Sequence, residues 1–451
     1  MKQSKNKLIF LIILLFFFAK LIFFNKNVWW DSAVYIGMGK YIYSFGRVGL
    51  WEASRPVVWP LILGLLWKLN LDVVFYPKMI ELLFSAGCIY FTYLIGREVF
   101  NDKIALLSAF FVAFSPTFFN YTTIALTEIP SLFFGLAAVY YFIRRNFLFA
   151  GVLSGISFMT RFLQFGIFLI LFLFLLSEYN RKNLINLFYL ILGFVLTILP
   201  YLLFNYFSYN NLFYPFFLQT FLTKYTGWMY HQPFWFYFLG LFKENILFVF
   251  AIIGLFLIIN AGKYKKKVIF FIFSLFFIFF ILIKHKEMRF IITFLPYLSL
   301  ITAYGIYSFL DKIKNRNVRN TIFIIAISVF LIQSFFQFEA AEIIDYSFFY
   351  EHLDKENPEN IWITNPVYIV DSNKKAELIY YPSFDSTRIK ELRGDITNAN
   401  SILMNTCDIP CPPWDNICSN EKPIFIEELK KKFKLIAYKK MWDCEEIILE
   451  R

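Results

Sequence analysis

The chain reads as recurring apolar runs over its first three quarters and a polar last quarter. Many runs approach 18–20 residues, the length at which a helix crosses about 30 Å of hydrocarbon. Short basic clusters at 2–7, 97–103, 144–145, 181–182, 263–267 and 312–319 punctuate them. Placing every cluster on the cytoplasmic side predicts spans over 8–24, 78–97, 104–120, 130–143, 147–160, 163–178, 184–205, 245–260, 268–283, 291–310 and 320–337. About eleven crossings from a cytoplasmic N-terminus put the C-terminus outside. The first run lacks a small-x-small cleavage site and continues into Asn25-Lys26-Asn27-Val28-Trp29-Trp30, so it reads as an uncleaved span.

One apolar stretch does not fit as a crossing. Residues 56–69 lie between segments that both belong outside, and they carry Pro56 and Pro60. This predicts a re-entrant or surface-lying helix within a long outer loop, 25–77. Such backbone at membrane depth needs protein or a wet cavity against it, so the loop is expected to build a cavity.

After residue 338 the pattern changes. Apolar runs at 360–364, 367–370, 378–381 and 433–438 predict strands, and 386–393 and 426–432 predict helices. The fold class is therefore a polytopic α-helical membrane protein with a small C-terminal extracytoplasmic α/β domain, divided as 1–338 and 339–451. Cys407, Cys411, Cys418 and Cys444 fall in the second part, where an oxidising compartment favours two disulfides with three pairings open. Four-thiolate zinc is the alternative, although Cys-x3-Cys and Cys-x6-Cys spacings suit neither a ribbon nor a finger. Cys88 lies within a span and reads as a small apolar residue.

Composition reinforces the membrane reading: 59% of the 451 residues are hydrophobic and 62 are Phe. A water-facing fold rarely carries that load. The net charge of +12 resides in the clusters between apolar runs. It therefore points to membrane orientation, with anionic lipids as neighbours, and not to nucleic acid.

Candidate chemistry lies in ionisable residues that the topology places at the outer boundary. Asp31 follows Trp29 and Trp30, a carboxylate beside aromatic platforms suited to a sugar ring. Glu52 and Arg55 precede the re-entrant helix, where a guanidinium can fork a phosphate. Glu128 opens the run ending at Arg144, and Arg161 is a lone cation between two apolar runs. The segment Lys284-His285-Lys286-Glu287-Met288-Arg289-Phe290 concentrates positive charge outside, which calls for an anionic partner such as a lipid-linked phosphate. The outer loop 206–244 is rich in aromatics, including Tyr225, Trp228 and Trp235, beside His231. Each feature has an ordinary alternative as an interfacial anchor, helix cap or snorkelling side chain.

The order of these features resembles the C-type (GT-C) glycosyltransferase superfamily. The first outer loop is similar to that of protein O-mannosyltransferases and lipid A aminoarabinose transferases. There an acidic residue follows the first span, as Asp31 does, and a basic-Pro-Pro motif corresponds to Arg55-Pro56, with Val57 where the second Pro would stand. Glu128-Ile129-Pro130 resembles a second acidic motif, usually Asp. Gly151–Arg161 resembles a Gly-rich span ending in Thr-Lys or Thr-Arg. His285-Lys286-Glu287-Met288-Arg289-Phe290 with Pro296 resembles the HKE-x-RF signature of dolichyl-phosphate-mannose-dependent mannosyltransferases. The resemblance covers about residues 8–310.

It implies a plasma-membrane hexosyltransferase that moves mannose or glucose from a polyprenyl-phosphate or dolichyl-phosphate donor to a glycan, lipid or protein acceptor outside. Asp31 would deprotonate the acceptor for inverting attack. Arg55, Arg161, Lys286 and Arg289 would neutralise the departing phosphate, with His285 hydrogen-bonding it. Trp29, Trp30 and Trp235 would stack on sugar. No cofactor is required, although Asp31, Glu52 and Glu128 leave a divalent ion open. A lipid-linked glycan flippase or ligase, or a non-catalytic scaffold, is the alternative. A transporter built on repeats finds no repeat in this sequence.

Overall fold

The structure is a computed structural model, and it describes all residues except 1, 26, 178–180, 262–263, 340–344, 356–359 and 442. Of the basic clusters, Lys263 and the side chains of Lys2, Lys5, Arg181 and Lys182 lie outside what is described. The chain forms two compact units, and the division does not follow the sequence in one cut. The first comprises residues 1–25, 78–214 and 230–341; the second comprises 26–77, 215–229 and 342–451.

The first unit is helical. Helices cover each stretch read as apolar, among them Lys2–Ile22, Phe75–Val99, Asp102–Phe114, Glu128–Ile143, Phe147–Thr160, Phe165–Ser177, Arg181–Tyr209, Tyr264–Leu282, Leu295–Leu310 and Arg316–Phe335. Their starts are set locally. Asn101 accepts hydrogen bonds from the N–H groups of Lys103 (3.0 Å) and Ile104 (3.1 Å), and Asn315 caps the last helix in the same way. Close helix contact depends on missing side chains: a Cβ on Gly151 would lie 2.2 Å from the Leu190 carbonyl oxygen, and one on Gly193 2.3 Å from that of Leu148.

Three described helices are long and apolar enough to cross a membrane: Phe75–Val99, Asn183–Tyr209 and Arg316–Phe335. A fourth is gained if Phe236–Glu244 and Ile246–Asn260, bent by 116°, count as one broken span. Several others fall short of the expected eleven by length. Glu128–Ile143 and Leu295–Leu310 have 16 residues each and Phe147–Thr160 has 14, which rise roughly 21–24 Å at 1.5 Å per residue.

The second unit is an α/β domain around five strands: β1 (Ile361–Ile363), β2 (Ala376–Leu378), β3 (Ser401–Asn405), β4 (Lys434–Met441) and β5 (Cys444–Glu450). Their order is β2-β1-β3-β5-β4. β1 runs parallel to β2 and β3, and β5 antiparallel to β3 and β4. Side chains alternate across the sheet. Trp362, Ile402, Met404, Ile447 and Leu449 pack with Leu392 and Leu429 on one face. Ile361, Ile363, Leu403 and Ile448 pack on the other with Val34, Met38, Leu50 and Tyr368.

The segment 27–77 thus supplies core to a sheet more than 300 positions away. Its helices Trp30–Tyr43 and Val58–Lys68 cross where Gly39 meets Gly64; a Cβ on Gly39 would lie 2.5 Å from the Gly64 nitrogen. Backbone bonds from Gly49 to Lys374 O (2.8 Å) and from Ala376 to Gly49 O (2.9 Å) extend the sheet edge. The stretch 56–69 is the 11-residue helix Val58–Lys68, with Trp59, Pro60, Leu63, Gly64 and Leu66 buried.

Three details of the last quarter differ from the pattern reading, the first being that the stretch 378–381 meets the sheet only at Leu378, where β2 ends. Residues 367–370 do not form a strand: Asn365 accepts the Val367 N–H (3.0 Å) and, with Pro366, starts the 3-10 turn Pro366–Ile369. β3 and β5 were not expected. β5 is flanked on both sides, so Ile447, Ile448 and Leu449 are all buried and no alternation marks the strand. The cysteines pair as Cys407–Cys444 and Cys411–Cys418, and Cys88 is free and buried.

Candidate active site

In the second unit, Asp31 sits in the first turn of Trp30–Tyr43 and Arg55 in the turn before Val58–Lys68. Arg55 Nη1 lies 2.8 Å from Asp31 Oδ1. Its Nε donates to Glu52 Oε2 at 2.6 Å, and Nη1 also reaches the Tyr35 hydroxyl at 3.3 Å. Glu52 accepts in turn from the Tyr380 hydroxyl (2.7 Å), which accepts from Trp30 Nε1 (3.0 Å). Burial works against the charge on Arg55, but Glu52 and then Asp31 outweigh it and raise its pKa further. Burial, then Glu52, pushes the Tyr380 hydroxyl well above its usual range, so it stays a neutral donor.

Arg55, expected beside a phosphate, lies between two carboxylates, and its guanidinium is shared by Asp31 and Glu52. Trp30 is likewise engaged, tilted against Tyr380 with ring centroids 4.9 Å apart. Trp29 is the N-cap residue of the helix carrying Asp31 and is about a third exposed.

In the first unit, Glu128 begins the Glu128–Ile143 helix, where the dipole favours a carboxylate. Arg161 ends Phe147–Thr160 in extended backbone, its N–H bonded to Ser157 O at 3.0 Å. Ser157 Oγ donates to Ser131 O (2.7 Å) and Gln164 Nε2 to Ser131 Oγ (3.3 Å), fixing the two helices in register. Glu128 Oε1 then meets Arg161 Nη1 at 2.9 Å and Arg289 Nε at 3.5 Å. Glu287 Oε1 accepts from Arg289 Nη2 (2.9 Å) and lies 2.8 Å from His285 Nε2. Phe290 lies under both guanidinium groups, at 5.3 Å from Arg161 and 5.8 Å from Arg289.

Burial pushes the Glu287 carboxyl up, but the His285 hydrogen bond and Arg289 outweigh it, leaving its pKa below the usual value. His285 is stacked on Tyr230 with centroids 4.5 Å apart. His285 Nδ1 is buried with no hydrogen-bond partner among the described residues. An orphaned buried ring nitrogen has a desolvation cost that a bound ligand would relieve.

Several expectations are corrected here. Lys286 does not face an anion site: its ammonium donates to the carbonyls of Gln232 (3.2 Å) and Ile283. Trp235 is half exposed and edge-on to Phe234. The 284–290 segment is also less one-sidedly positive than its sequence suggests, because Glu128 and Glu287 each pair with arginine. Asp31 and Glu52 are both committed to Arg55, and no group of three or more His, Cys, Asp or Glu side chains that could hold a metal occurs among the described residues.

Residues 54–204 match the family model described as dolichyl-phosphate-mannose-protein mannosyltransferase. ArnT from Cupriavidus metallidurans bound to undecaprenyl phosphate aligns with a TM-score of 0.68 at 10% identity, covering 100% of this chain and 98% of that one. The archaeal oligosaccharyltransferase AglB from Archaeoglobus fulgidus, in complex with an inhibitory peptide and a dolichol-phosphate, aligns at 0.64 and 13% identity over 90% and 70%. The chain has the GT-C glycosyltransferase fold. Arabinofuranosyltransferase AftD from Mycobacteria also aligns, at 0.58 and 8% identity, over 100% of this chain and 41% of that one. Among curated proteins, none matches the chain by sequence.

The GT-C scaffold brings in residues that sequence reasoning passed over. Glu81, fully buried in Phe75–Val99, accepts from the N–H groups of Ala125 (2.6 Å) and Leu126 (3.1 Å). It holds a turn in which Thr123 and Ala125 adopt φ of 72° and 68°, just ahead of Glu128. A carboxylate inside an apolar run was the available signal. Tyr121 lies within electrostatic reach of Arg289, Glu287 and Glu128. Residues 230–232 pair with 284–286 through Lys286 N to Tyr230 O (3.1 Å) and Gln232 N to Lys284 O (3.4 Å). That pairing sets His231 opposite His285, distant as they are in sequence.

Proposed function

We propose that the protein is a membrane glycosyltransferase that moves a hexose from a polyprenyl-phosphate donor to an acceptor on the extracytoplasmic side. The observation that carries the reading is the Glu128–Arg161–Arg289–Glu287–His285 cluster on a GT-C fold, with the buried, unpartnered His285 Nδ1 at its end. It is supported by two structures of similar fold that hold a lipid phosphate, AglB with dolichol-phosphate and ArnT with undecaprenyl phosphate. The matched family description makes mannose the first sugar to try, with glucose second.

In this reaction Asp31 takes the proton from the acceptor hydroxyl as its oxygen attacks the anomeric carbon. The new bond to carbon forms while the bond from that carbon to the phosphate oxygen breaks, inverting the configuration in one displacement. Arg55 and Glu52 position Asp31. A guanidinium carries five N–H donors, so Arg161 and Arg289 retain donors for phosphate after pairing with glutamate. They stabilise the charge growing on the leaving lipid phosphate, and His285 hydrogen-bonds it. The N-terminus is cytoplasmic and the sheet domain extracytoplasmic in this reading.

The purified protein in lipid nanodiscs is to be given synthetic polyprenyl-phosphate-mannose or polyprenyl-phosphate-glucose, and lipid phosphate release followed. Release with one donor, lost in His285→Ala and Arg289→Ala, is expected. No release from any lipid-phosphate sugar across a range of acceptors would contradict the reading.

A further inference from the structure

The helix that begins at Glu128 ends at the Arg144-Arg145 pair, roughly 24 Å away along its axis. At that end a cavity of about 240 Å³ is lined by Arg145, Phe147, Leu175, Asn183, Asn186 and Tyr264. It is separate from the cluster described above and shares no residue with it.

The charges around it are distributed unequally. Arg144 is paired with Glu98 at 3.0 Å, and Lys265 reaches the same carboxylate at 3.5 Å. Lys266 sits over the Tyr304 ring at 4.0 Å and the Phe100 ring at 5.2 Å. Among the described residues, Arg145 has no carboxylate partner and no acidic side chain lines the cavity. Its backbone turns left-handed, with φ of 62°, and its N–H closes the turn on Phe142 O at 2.9 Å. A non-glycine residue rarely adopts that conformation.

The remaining wall is chemically matched to such a cation. Asn186 Nδ2 donates to Asn183 Oδ1 at 3.3 Å, which orients the two amides together. Phe147 and Leu175 supply an apolar wall. A guanidinium, oriented amides and a phenol favour an anion with several acceptor oxygens. Basic pockets between membrane helices are suited to phosphate head groups.

We propose that this cavity is a binding site for a phosphate ester or phosphate anion, carried on an anionic lipid head group or free in solution, with Arg145 as its principal contact. The apolar wall would take the glycerol or first methylenes of a lipid.

The test uses the full chain in phosphatidylcholine nanodiscs containing a few per cent fluorescent phosphatidylglycerol, with retention measured by native mass spectrometry and by energy transfer from protein tryptophan. Arg145→Gly removes the guanidinium while accepting the left-handed turn, and Asn186→Leu gives an independent variant that leaves the turn unchanged. Neither residue belongs to the proposed catalytic machinery, so sugar transfer is expected to persist. Preference for phosphatidylglycerol over phosphatidylcholine, reduced about tenfold or more in Arg145→Gly as befits a lost charged hydrogen bond, supports the site. Displacement by millimolar inorganic phosphate would assign the ligand to free phosphate, and resistance to it would assign the ligand to the lipid; both keep the site. Equal retention of the two lipids, with no binding of inorganic phosphate, or unchanged retention in both variants, would overturn it.

Discussion

Arg161 Nη1 lies 2.9 Å from Glu128 Oε1, joining the end of one helix to the first turn of its neighbour. Their side chains are 14% and 5% exposed, so removing Arg161 leaves buried Glu128 with Arg289 at 3.5 Å as its remaining cation. Arg161→Ala is expected to destabilise the first unit, by less than the roughly 3–5 kcal/mol of a fully unpaired buried charge, and to abolish transfer. Arg161→Lys keeps charge but loses the planar fork, so it should recover stability more than activity. Thermal unfolding in nanodiscs, read beside turnover, separates the two effects.

Glu81 offers a prediction away from the reacting groups. Its carboxylate is the acceptor for two backbone N–H groups in the turn before Glu128. Glu81→Gln replaces one acceptor oxygen by a donor and leaves a buried N–H unsatisfied, at a cost of about 1–3 kcal/mol. Turnover should fall with it, because the turn places Glu128. Amide exchange at Ala125 and Leu126 should rise in the variant; unchanged exchange would refute the account.

Much of this was legible before the structure. Apolar run length and the basic clusters marked most helical stretches of the first unit, but not Phe236–Glu244, which fell in the loop read as 206–244. Glu128, Arg161 and 285–290 stood out because charge in an apolar context is costly. Other features depend on partners distant in sequence. Nothing near Arg55 signals that Tyr380 will reach Glu52, and nothing near Val34 or Met38 signals the sheet they cover. β5 was hidden because a strand covered on both faces loses its alternation. Lys286 was misassigned because sequence gives charge but not direction, and its ammonium turns back onto carbonyl groups.

Asp408 gives the sheet domain a pH signature. Burial raises its pKa to about 6, against which the Tyr368 and Thr364 hydrogen bonds work. A carboxyl raised in the folded state binds more protons there than in the unfolded chain. Stability therefore falls as pH rises from about 4 to 6 and stays lower above. The loss is about 2–3 kcal/mol at most. Asp408→Asn, whose amide oxygen can still accept from both hydroxyls, should flatten this dependence and raise stability at pH 7. Denaturation across pH 4–8 checks it; a rise in stability over that interval would contradict the sign.

The two disulfides brace the same domain. Cys407–Cys444 links positions 37 apart across β3 and β5. Replacing both cysteines with serine should cost about 2–4 kcal/mol, whereas opening Cys411–Cys418, which spans only 7 positions, should cost less. Denaturant titration of the two double variants ranks them.

Asp31, held by Arg55 at 2.8 Å, carries the chemistry in this account. The decisive measurement is the transfer rate of Asp31→Asn against wild type, with synthetic polyprenyl-phosphate-mannose and polyprenyl-phosphate-glucose and with donor binding measured in parallel. A loss of roughly 10²–10⁴-fold in turnover, the contribution of a general base, with donor binding retained, is the predicted result. A variant that transfers sugar at the wild-type rate would contradict the assignment.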